Sequence, residues 1–598
     1  MLEIEGYTLR SGLTSNPNGV NSASRRQKEQ NVGRAVARLQ RSGSTSPGPR
    51  VYDYIIVGGG SAGCVLAARL SADPGSTVCV IEAGPYDSNP FIKIPLGIVH
   101  LMMSKKLNWQ YFTQPQQELD GRCLFWPRGK VLGGSSSTNA MIYTRGNRAD
   151  YDHWAALGNA GWSYAEVLPY FLRAEHHDGG RSAFHGHDGT LHVTPLCSPN
   201  VLSRAFVAAA VEAGFPFNED FNGPVQEGVN LYEVTQKNGE RWSAARAFLQ
   251  PALGRPNLTV VTGALAERVL FDGIRAVGVS YRRGRASIDI FARCEVLLAA
   301  GAVNSPQLLM LSGIGDPQHL AHHGIPLRHA LPGVGHNLQD HLDILVVHSC
   351  RQPVSLGLSF ATLPAQLARV YEYGIYRSGA LTSNSAEAGG FIRSGPDVGL
   401  PDMQFHFTPA RLDNHARTWR SAFFTLWGHG YALHACPLRP ASRGRITLRS
   451  ADPVAPALID PNYLAASSDM RAMIECVRVA RRVLAAKAFD PYRGVEIFPG
   501  AHVQADVDVE GFIRRKAETI YHPVGTCKMG CDPMSVVDKH LRVHGVDGLR
   551  VIDASVMPTL IGGNTNAPTM MIAERGADLV LSTRARLTRN APVSAPKF

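Results

Sequence analysis

Long apolar runs are absent from this 598-residue chain. A membrane-spanning helix needs about 18 or more consecutive apolar residues. The most apolar region, residues 296–314, is interrupted by polar residues and a proline: Asn304, Ser305, Pro306, Gln307 and Ser312. The sequence therefore predicts no transmembrane segment.

Paired cysteines at metal-binding or redox spacing are also lacking. The ten cysteines are scattered, no CxxC occurs, and the CxxxC formed by Cys527 and Cys531 has no second ligand pair. Several of the others fall in apolar stretches, where a free buried thiol is the usual state. These observations favour a reducing compartment and predict no metal centre.

Blocks of consecutive basic residues are missing as well. The net charge is +11, of which the first 50 residues contribute +5, since they hold eight basic and three acidic side chains. The remaining +6 is spread over the rest of the chain, which is not the concentrated basic surface of a nucleic-acid-binding protein. The charge is compatible with a weak attraction to anionic lipid or to an acidic partner.

What the chain does contain is a large apolar fraction, 44%, with 18% charged residues, so we expect a globular protein of more than one domain. Residues 1–50 are rich in Ser, Asn, Gly and Arg. They are either an unstructured extension or a targeting segment with a basic amphipathic helix at 32–41, although Glu3 and Glu5 count against a presequence. A flexible tail is expected at 586–598.

Residues 53–63 form the most specific local pattern, because an apolar run leads directly into a glycine-rich turn and a helix-like segment. In the GxGxxG fingerprint of dinucleotide-binding βαβ units, Gly58 permits the tight turn, Gly60 lets a pyrophosphate approach the backbone, and Gly63 lets the helix pack on the strand. The free amides at the helix start, at Ser61 and Ala62, suit an anion. Glu82 ends the second strand and is placed to bind a ribose.

Further strand-like runs at 258–262, 267–271, 276–281 and 295–300 continue this domain, with an Asp-Gly turn at 272–275 and a helix at 305–311. Residues 345–515 are less regular, and 520–585 again resemble a nucleotide domain. We therefore predict a discontinuous Rossmann-like domain at 51–345 and 516–585, with a substrate domain at 346–515. These patterns do not distinguish FAD from NAD.

Four blocks in this order resemble the glucose–methanol–choline (GMC) oxidoreductase family, and within it the choline and alcohol dehydrogenases. They are the fingerprint with residues 82–84, residues 128–141, residues 301–315, and residues 521–530 followed by 563–569. The resemblance implies a mixed α/β fold, in which a mostly antiparallel sheet roofs a flavin. It also implies that the cofactor is FAD.

The resemblance assigns residues around the cofactor beyond the fingerprint. The assigned residues are Arg128, Gly133, Gly134, Ser135, Asn139, Asp553, Ala554 and Asn564. Some relatives carry a histidine at the position of Thr138 that attaches covalently to the flavin. Because threonine cannot form that bond, we expect FAD to be bound non-covalently.

The resemblance also implies the chemistry, which is oxidation of a primary alcohol to the aldehyde with hydride transfer to flavin N5. His522 matches the family's general base, a role that suits an imidazole. Asn566 matches its partner, which would hydrogen-bond the developing alkoxide. Trp109, Glu387 and Tyr521 are candidates for contacting the substrate, either choline or an aliphatic or aromatic alcohol.

Two other histidine-bearing segments are interpreted as structural. Histidines 176, 177, 185, 187 and 192 crowd one loop with two aspartates, but the loop resembles an ordinary family loop and we predict no metal there. Residues 337–341, which end in His341, are expected to border the flavin domain.

Two alternative functions share this fold: a light-driven fatty-acid photodecarboxylase and a non-catalytic flavoprotein. The photodecarboxylase branch has segments similar to 89–95 and a cysteine like Cys436, but it lacks a histidine matching His522. The electron acceptor, whether a quinone, another carrier or oxygen, stays open, as do oligomeric state and compartment. The compartment would be cytoplasmic or peripheral to a membrane in a bacterium, and organellar if residues 1–50 are a targeting segment.

Overall fold

A computed structural model describes residues 50–413 and 419–590. The segments predicted as an N-terminal extension or targeting helix (1–49) and the end of the C-terminal tail (591–598) lie outside the described residues. From Val51 onward the chain forms one compact unit. No helix in the described ranges combines the length and apolarity needed to cross a membrane.

A seven-stranded sheet carries the nucleotide-binding pattern. Its strands are β1 (Arg50–Val57), β2 (Val78–Glu82), β4 (Leu258–Thr262), β5 (Leu265–Asp272), β6 (Arg275–Arg283), β7 (Ala286–Leu298) and β14 (Leu549–Val551). The order is β4-β2-β1-β7-β6-β5, and β14 pairs with β7. The pairs β1–β2, β4–β2 and β7–β14 are parallel, whereas β5, β6 and β7 form an antiparallel meander. All the strands expected here are present, and Asp272 pairs with Arg275 across the predicted turn.

A second seven-stranded sheet is antiparallel in every pairing and matches the roof implied by the family resemblance. Its strands are β3 (Gly228–Leu231), β8 (Leu342–Cys350), β9 (Ala388–Ile392), β10 (Met403–Thr408), β11 (Gly430–Pro437), β12 (Arg493–Phe498) and β13 (Glu518–Thr519). The order is β12-β8-β11-β10-β9-β3, and β13 also pairs with β8.

This roof sheet does not respect the boundaries 346–515 that the sequence suggests. Its edge strand β3 comes from residues 228–231, and β13 comes from 518–519. One contiguous apolar core includes Ile56 and Val80 of the first sheet and Phe405 and Leu433 of the second. The two sheets bury their side chains in one shared core. For this reason the amino-acid composition gives no sign of a boundary at the predicted positions 346 and 515.

Ten helices of eight or more residues surround the sheets in the described ranges. They are α1 (Ser61–Leu70), α2 (Arg148–Ala156), α3 (Tyr164–Ala174), α4 (Val201–Glu212), α5 (Gly301–Leu311), α6 (Leu363–Tyr376), α7 (Trp419–Leu426), α8 (Ser467–Leu484), α9 (Asp506–Lys516) and α10 (Asn566–Asn590). Shorter helices include Pro90–Lys93, Ile98–Met103, Gln250–Ala252 and Pro317–His322, and two-residue or three-residue strands form five small ladders.

The helices that matter most for the site begin beside the first sheet. The helix α1 packs against α10, so segments about 500 residues apart in the chain lie side by side. The helix α10 continues to Asn590, so the first five residues of the predicted tail, 586–590, are helical. Of the four cysteines expected to be buried thiols, Cys64, Cys79 and Cys476 are buried, whereas Cys294 in β7 is half-buried.

Candidate active site

The glycine fingerprint forms the tight turn that its spacing predicts. Gly58 has φ of +102°, and a Cβ there would lie 2.5 Å from the carbonyl oxygen of Ala299. A Cβ on Gly63 would lie 1.8 Å from the carbonyl oxygen of Gly58, so only glycine lets α1 pack this closely. At Gly60 the nearest such contact is 3.9 Å away, which leaves its backbone open toward a cavity.

Glu82 lies at the end of β2, buried beneath the glycine turn. Its carboxylate accepts hydrogen bonds from the amides of Gly59 (2.8 Å) and Gly84 (2.7 Å). Burial raises the pKa of the Glu82 carboxyl to about 7, although these hydrogen bonds and Lys130 oppose the shift. Two carboxylate oxygens offer about four acceptor positions, so the two amides leave capacity for a ribose hydroxyl.

The segment 128–139 packs directly against the glycine turn at 58–63. The amide of Gly133, at φ +87°, donates to the carbonyl of Gly59 (2.7 Å), and a Cβ on Gly134 would lie 2.8 Å from the Cα of Gly60. The hydroxyl of Ser135 accepts a hydrogen bond from the Gly129 amide at 3.2 Å. The backbones of two glycine-rich loops are therefore in direct contact. Because glycine has no side chain, these residues leave the adjoining channel of the cavity open.

A buried arginine that sequence reasoning missed supports the same segment. The Arg241 guanidinium donates to the Asn139 side-chain oxygen (2.9 Å) and to its carbonyl (2.6 Å). It also donates to the carbonyl of Ile92. Burial lowers the pKa of Arg241 to about 9. No motif signals this residue, because its partners lie about 100 and 150 positions earlier in the chain.

The opposite wall of the cavity comes from the third and fourth sequence blocks. Asp553 follows β14, and its carboxylate accepts from the Gly301 amide (2.8 Å) and the Ser305 hydroxyl (2.5 Å). Ala554 lines the cavity beside it. Burial raises the pKa of Asp553. The acid predicted to contact the cofactor therefore also anchors the start of α5.

These walls enclose an elongated cavity of about 560 Å³, which runs from the glycine turn and Glu82 to His522 under the roof sheet. One end has the features that a pyrophosphate needs: a glycine whose Cβ position is open, and the amides of Ser61 and Ala62 at a helix N-terminus. Near the middle, Ser135, Thr138 and Asn139 line the channel. The residues present fit FAD, with its adenosine half at Glu82 and its flavin toward His522.

His522 occupies the far end of the cavity, and its protonation is set by its neighbour. Nε2 of His341 must donate to the carbonyl of Leu438 (3.0 Å), because a carbonyl only accepts. Nδ1 of neutral His341 then accepts a hydrogen bond, and its partner at 3.0 Å is Nδ1 of His522. His522 therefore carries its proton on Nδ1 and keeps a lone pair on Nε2.

The surroundings of His522 keep that imidazole neutral. Burial is the main reason that its pKa lies well below the usual value, and His341, His406 and Arg128 add to the shift. The Arg128 guanidinium donates to the Tyr521 carbonyl at 2.7 Å. The His522 amide donates to the Asp340 carboxylate at 2.6 Å, which holds the backbone in place. A neutral imidazole whose Nε2 is unprotonated is a competent proton acceptor.

The partner of His522 is Asn564 and not Asn566, which corrects the sequence-based assignment. The Asn564 amide nitrogen donates to His522 Nε2 at 3.2 Å. The Asn564 oxygen accepts from Gln404 Nε2 at 3.0 Å, so the amide orientation is set. Asn566 is the first residue of α10, and its oxygen accepts from the Ser61 hydroxyl at 2.8 Å. Asn566 nevertheless lines the cavity as Asn564 does, so its predicted contact with the substrate oxygen stays a prediction.

Of the three proposed substrate contacts, Trp109 and Tyr521 line the cavity and Glu387 does not. Glu387 is 1% exposed, and its carboxylate accepts from the Asn200 amide (2.7 Å) and the hydroxyls of Ser203 (2.7 Å) and Ser383 (2.6 Å). The assignment of Glu387 to the substrate is therefore wrong: the residue joins α4 to the loop before β9. The face of Trp109 already has the Lys130 ammonium 4.5 Å from its ring centroid.

The roof sheet contributes site residues that sequence reasoning missed. His406 and Thr408 of β10 and His434 of β11 line the cavity. Gln404, His406 and Thr408 alternate with apolar residues along β10, and this period of two was a signal for a polar strand face. Burial lowers the pKa of His406 to about 3.

The histidine-rich loop, for which we predict no metal, brings three suitable side chains together. Ligand atoms of His176, Asp178 and His192 lie within 4.8 Å of one another. The Lys237 ammonium, however, lies 2.8 Å from Nε2 of His192. A cation held against one of the three ligands opposes the binding of another.

A dinucleotide cradle that continues into a cavity with a neutral, oriented imidazole is the arrangement of a dinucleotide-dependent oxidoreductase. Profiles described as GMC oxidoreductase match residues 52–343 and 440–573, and the chain belongs to this family. Its cofactor is FAD. A solved structure with this fold, at 28% identity and a TM-score of 0.80, is described as an FAD-dependent oxidoreductase from Chaetomium thermophilum.

The chain is 51% identical over 534 residues to an alcohol dehydrogenase [acceptor] of Pseudomonas putida, covering 89% of this chain and 96% of that relative. It is 45% identical over 563 residues to the mitochondrial choline dehydrogenase of Mus musculus, covering 92% and 93%. Among solved structures, pyridoxine 4-oxidase from Mesorbium loti aligns with a TM-score of 0.80 at 32% identity, covering 88% of this chain and 98% of that one. These relatives lend no support to the photodecarboxylase alternative.

Proposed function

We propose that this enzyme oxidises an uncharged primary alcohol to the aldehyde, with Nε2 of His522 as the base that takes the hydroxyl proton. The observation that carries the proposal is the pair formed by His522 Nε2 and the Asn564 amide nitrogen, 3.2 Å apart. An alcohol oxygen within reach of both atoms would replace this hydrogen bond, give its proton to the imidazole and accept a hydrogen bond from the amide.

FAD, when bound, supplies the acceptor for the hydride that leaves the alcohol carbon. Gly58, Gly60, Ser61, Ala62, Gly63 and Glu82 would hold its adenosine and pyrophosphate, and Arg128, Gly133, Gly134, Ser135 and Asn139 its flavin end. The Asn564 amide would stabilise the negative charge that develops on the substrate oxygen as the proton leaves. The His341 imidazole orients His522 and would stabilise the proton that it gains.

The charge distribution of the cavity favours an uncharged substrate over choline. The acidic side chains that line it in the described ranges are Glu82 and Asp553, and both belong to the cofactor-binding walls. A quaternary ammonium is best bound by aromatic faces together with a carboxylate, and Glu387 points elsewhere. Ile98, Val99, Met102 and Leu412 add apolar surface to the cavity.

The proposal is tested by steady-state turnover of the FAD-loaded enzyme with an artificial dye as acceptor. We expect kcat/KM for a medium-chain or aromatic alcohol to exceed that for choline by at least about tenfold. Such a factor is expected because the ammonium charge of choline would lie in the cavity without a charged partner. A preference for choline would contradict the substrate assignment and leave the base assignment intact. Absence of turnover with every alcohol would contradict both and would favour a non-catalytic flavoprotein.

A further inference from the structure

The helix α6 is amphipathic in the opposite sense to an ordinary surface helix. Its polar residues Gln366, Arg369 and Glu372 face inward with Tyr373 and are buried or half-buried. Its apolar residues Leu367, Val370, Tyr371 and Ile375 are 60–78% exposed. Their spacing of three and four residues puts them on one side of the helix. A surface helix normally buries that side.

The helix α7 repeats this inversion, and its end contacts residues 358–360, which lead into α6. Ser421 and Thr425 are buried, whereas Phe423 is 60% exposed and Leu426 is 47% exposed. The Leu358 amide donates to the Leu426 carbonyl, and the rings of Phe360 and Trp427 pack edge to face at 5.0 Å. The exposed residues of both helices, here called the outward apolar face, are Phe360, Leu363, Leu367, Val370, Tyr371, Ile375, Phe423 and Leu426.

We propose that the outward apolar face docks this enzyme on the surface of an anionic lipid bilayer. Amphipathic helices that lie in a membrane interface combine an apolar face with basic residues. Among the exposed residues of segments 358–378 and 419–428, Arg377 and Arg420 are basic and none is acidic, a charge that complements anionic lipid. Tyr371 and Tyr376 are both more than 60% exposed, and tyrosine is enriched at the level of lipid headgroups.

The position of this face relative to the active-site cavity gives the docking a function. The Arg411 guanidinium donates to the carbonyls of Phe424 and Trp427 at the end of α7. The next residue, Leu412, lines the cavity. A bilayer on the outward apolar face would therefore lie beside the cavity, where an apolar alcohol or a lipid-soluble acceptor can pass between membrane and enzyme.

Co-sedimentation of the FAD-loaded full chain with vesicles tests the proposal without measuring turnover. We expect binding to vesicles of phosphatidylcholine with phosphatidylglycerol, weaker binding to phosphatidylcholine alone, and loss of binding in high salt. The double variant Leu367→Glu/Ile375→Glu should reduce partitioning at least about tenfold. Ile274→Glu, at a 58% exposed position in the β5–β6 turn, is the matched control and should bind as the unaltered chain does.

Flavin content and melting temperature establish that the variants are folded. Absence of binding to either kind of vesicle by the unaltered chain would overturn the proposal. The proposal would also be overturned if the unaltered chain bound no vesicles and light scattering showed a dimer that Leu367→Glu/Ile375→Glu abolishes. That result would assign the face to a second copy of the chain. Neither result depends on which alcohol is oxidised.

Discussion

The imidazoles of His341 and His522 face each other through their Nδ1 atoms, 3.0 Å apart and tilted edge to face. Because the other nitrogen of His341 is committed to the Leu438 carbonyl, this contact determines which nitrogen of His522 carries the proton. The reactive atom of the proposed base is therefore selected by a residue that the sequence suggested to be structural.

Replacing His522 by Ala should lower kcat by at least about 100-fold, because the alcohol loses its proton acceptor. FAD should remain bound, since His522 lies at the far end of the cavity from the glycine turn. The measurement is dye-linked turnover together with the flavin absorbance of the purified variant. His153→Ala, at an exposed position in α2, serves as the control and should behave as the parent. Near-normal turnover of the His522 variant would refute the assignment.

Asn564→Ala and Asn566→Ala should separate catalysis from cofactor binding. Loss of the Asn564 amide removes the donor beside His522 Nε2, so kcat should fall by about 100-fold or more with flavin retained. Loss of the Asn566 amide removes the contact to Ser61 at the start of α1, so FAD should dissociate more readily while kcat of the loaded enzyme changes little. Stopped-flow reduction and FAD titration measure the two effects, and the reverse pattern would restore the sequence-based assignment.

The pKa of His522, held well below that of a free imidazole by burial, predicts the pH profile of turnover. The imidazole must be neutral to accept a proton, so kcat/KM should be constant above pH 7 and fall only well below pH 6.5. The measurement is kcat/KM from pH 5 to pH 9 in a buffer series of constant ionic strength. An ascending limb centred at or above pH 7 would show that His522 is not the titrating base.

Folding stability should decrease on acidification through the buried histidines. Burial lowers the pKa of His341 to about 4 and that of His406 to about 3, against 6.5 for a free imidazole. Below pH 6.5 the unfolded chain binds protons that the folded chain does not, so stability falls from there toward the folded pKa values. Thermal melts at pH 7.5, 6 and 5 should show a declining Tm. His406→Gln should flatten that decline, and an unchanged slope would contradict the burial argument.

Glu387→Gln should affect stability and not substrate choice. The carboxylate accepts three hydrogen bonds in a buried site, and weakening them should cost about 1–3 kcal/mol of unfolding free energy. The ratio of kcat/KM for choline to that for an uncharged alcohol should stay the same. Glu219→Gln, at an exposed position, is the control for stability. A selective loss of choline turnover would return Glu387 to the substrate site.

Gly63→Ala should prevent normal FAD binding, because a Cβ there would lie 1.8 Å from the Gly58 carbonyl and force α1 away from β1. Such overpacking costs about 1–3 kcal/mol. Gly254→Ala, where no atom lies within 4 Å of the added carbon, is the matched control. Flavin content after gel filtration and the Tm of both variants measure the effect. Full flavin occupancy in Gly63→Ala would show that the turn can relax.

Local patterns were sufficient for the parts of the fold that depend on neighbouring residues. The strands around residues 57, 80 and 260, the turn at 272–275 and the α5 helix follow from apolar periodicity and glycine placement. The roof sheet was harder to delimit, because its edge strand β3 lies more than 100 residues before β8. Strand pairing at that separation depends on the shared core and has no local signature.

By itself the sequence determined the dinucleotide fingerprint at Gly58–Gly63, because glycine geometry is a property of single residues in a short motif. Its resemblance to the GMC family pointed to His522 as the base, an assignment that stays a prediction. Only the tertiary structure decided which asparagine meets His522. Asn564 and Asn566 are two positions apart, and the start of α10 between them turns their side chains toward different partners. The tertiary structure likewise removed Glu387 from the substrate site, since three donors from distant segments surround its carboxylate. The side-chain types were visible in the sequence, but their partners were set by contacts across hundreds of residues.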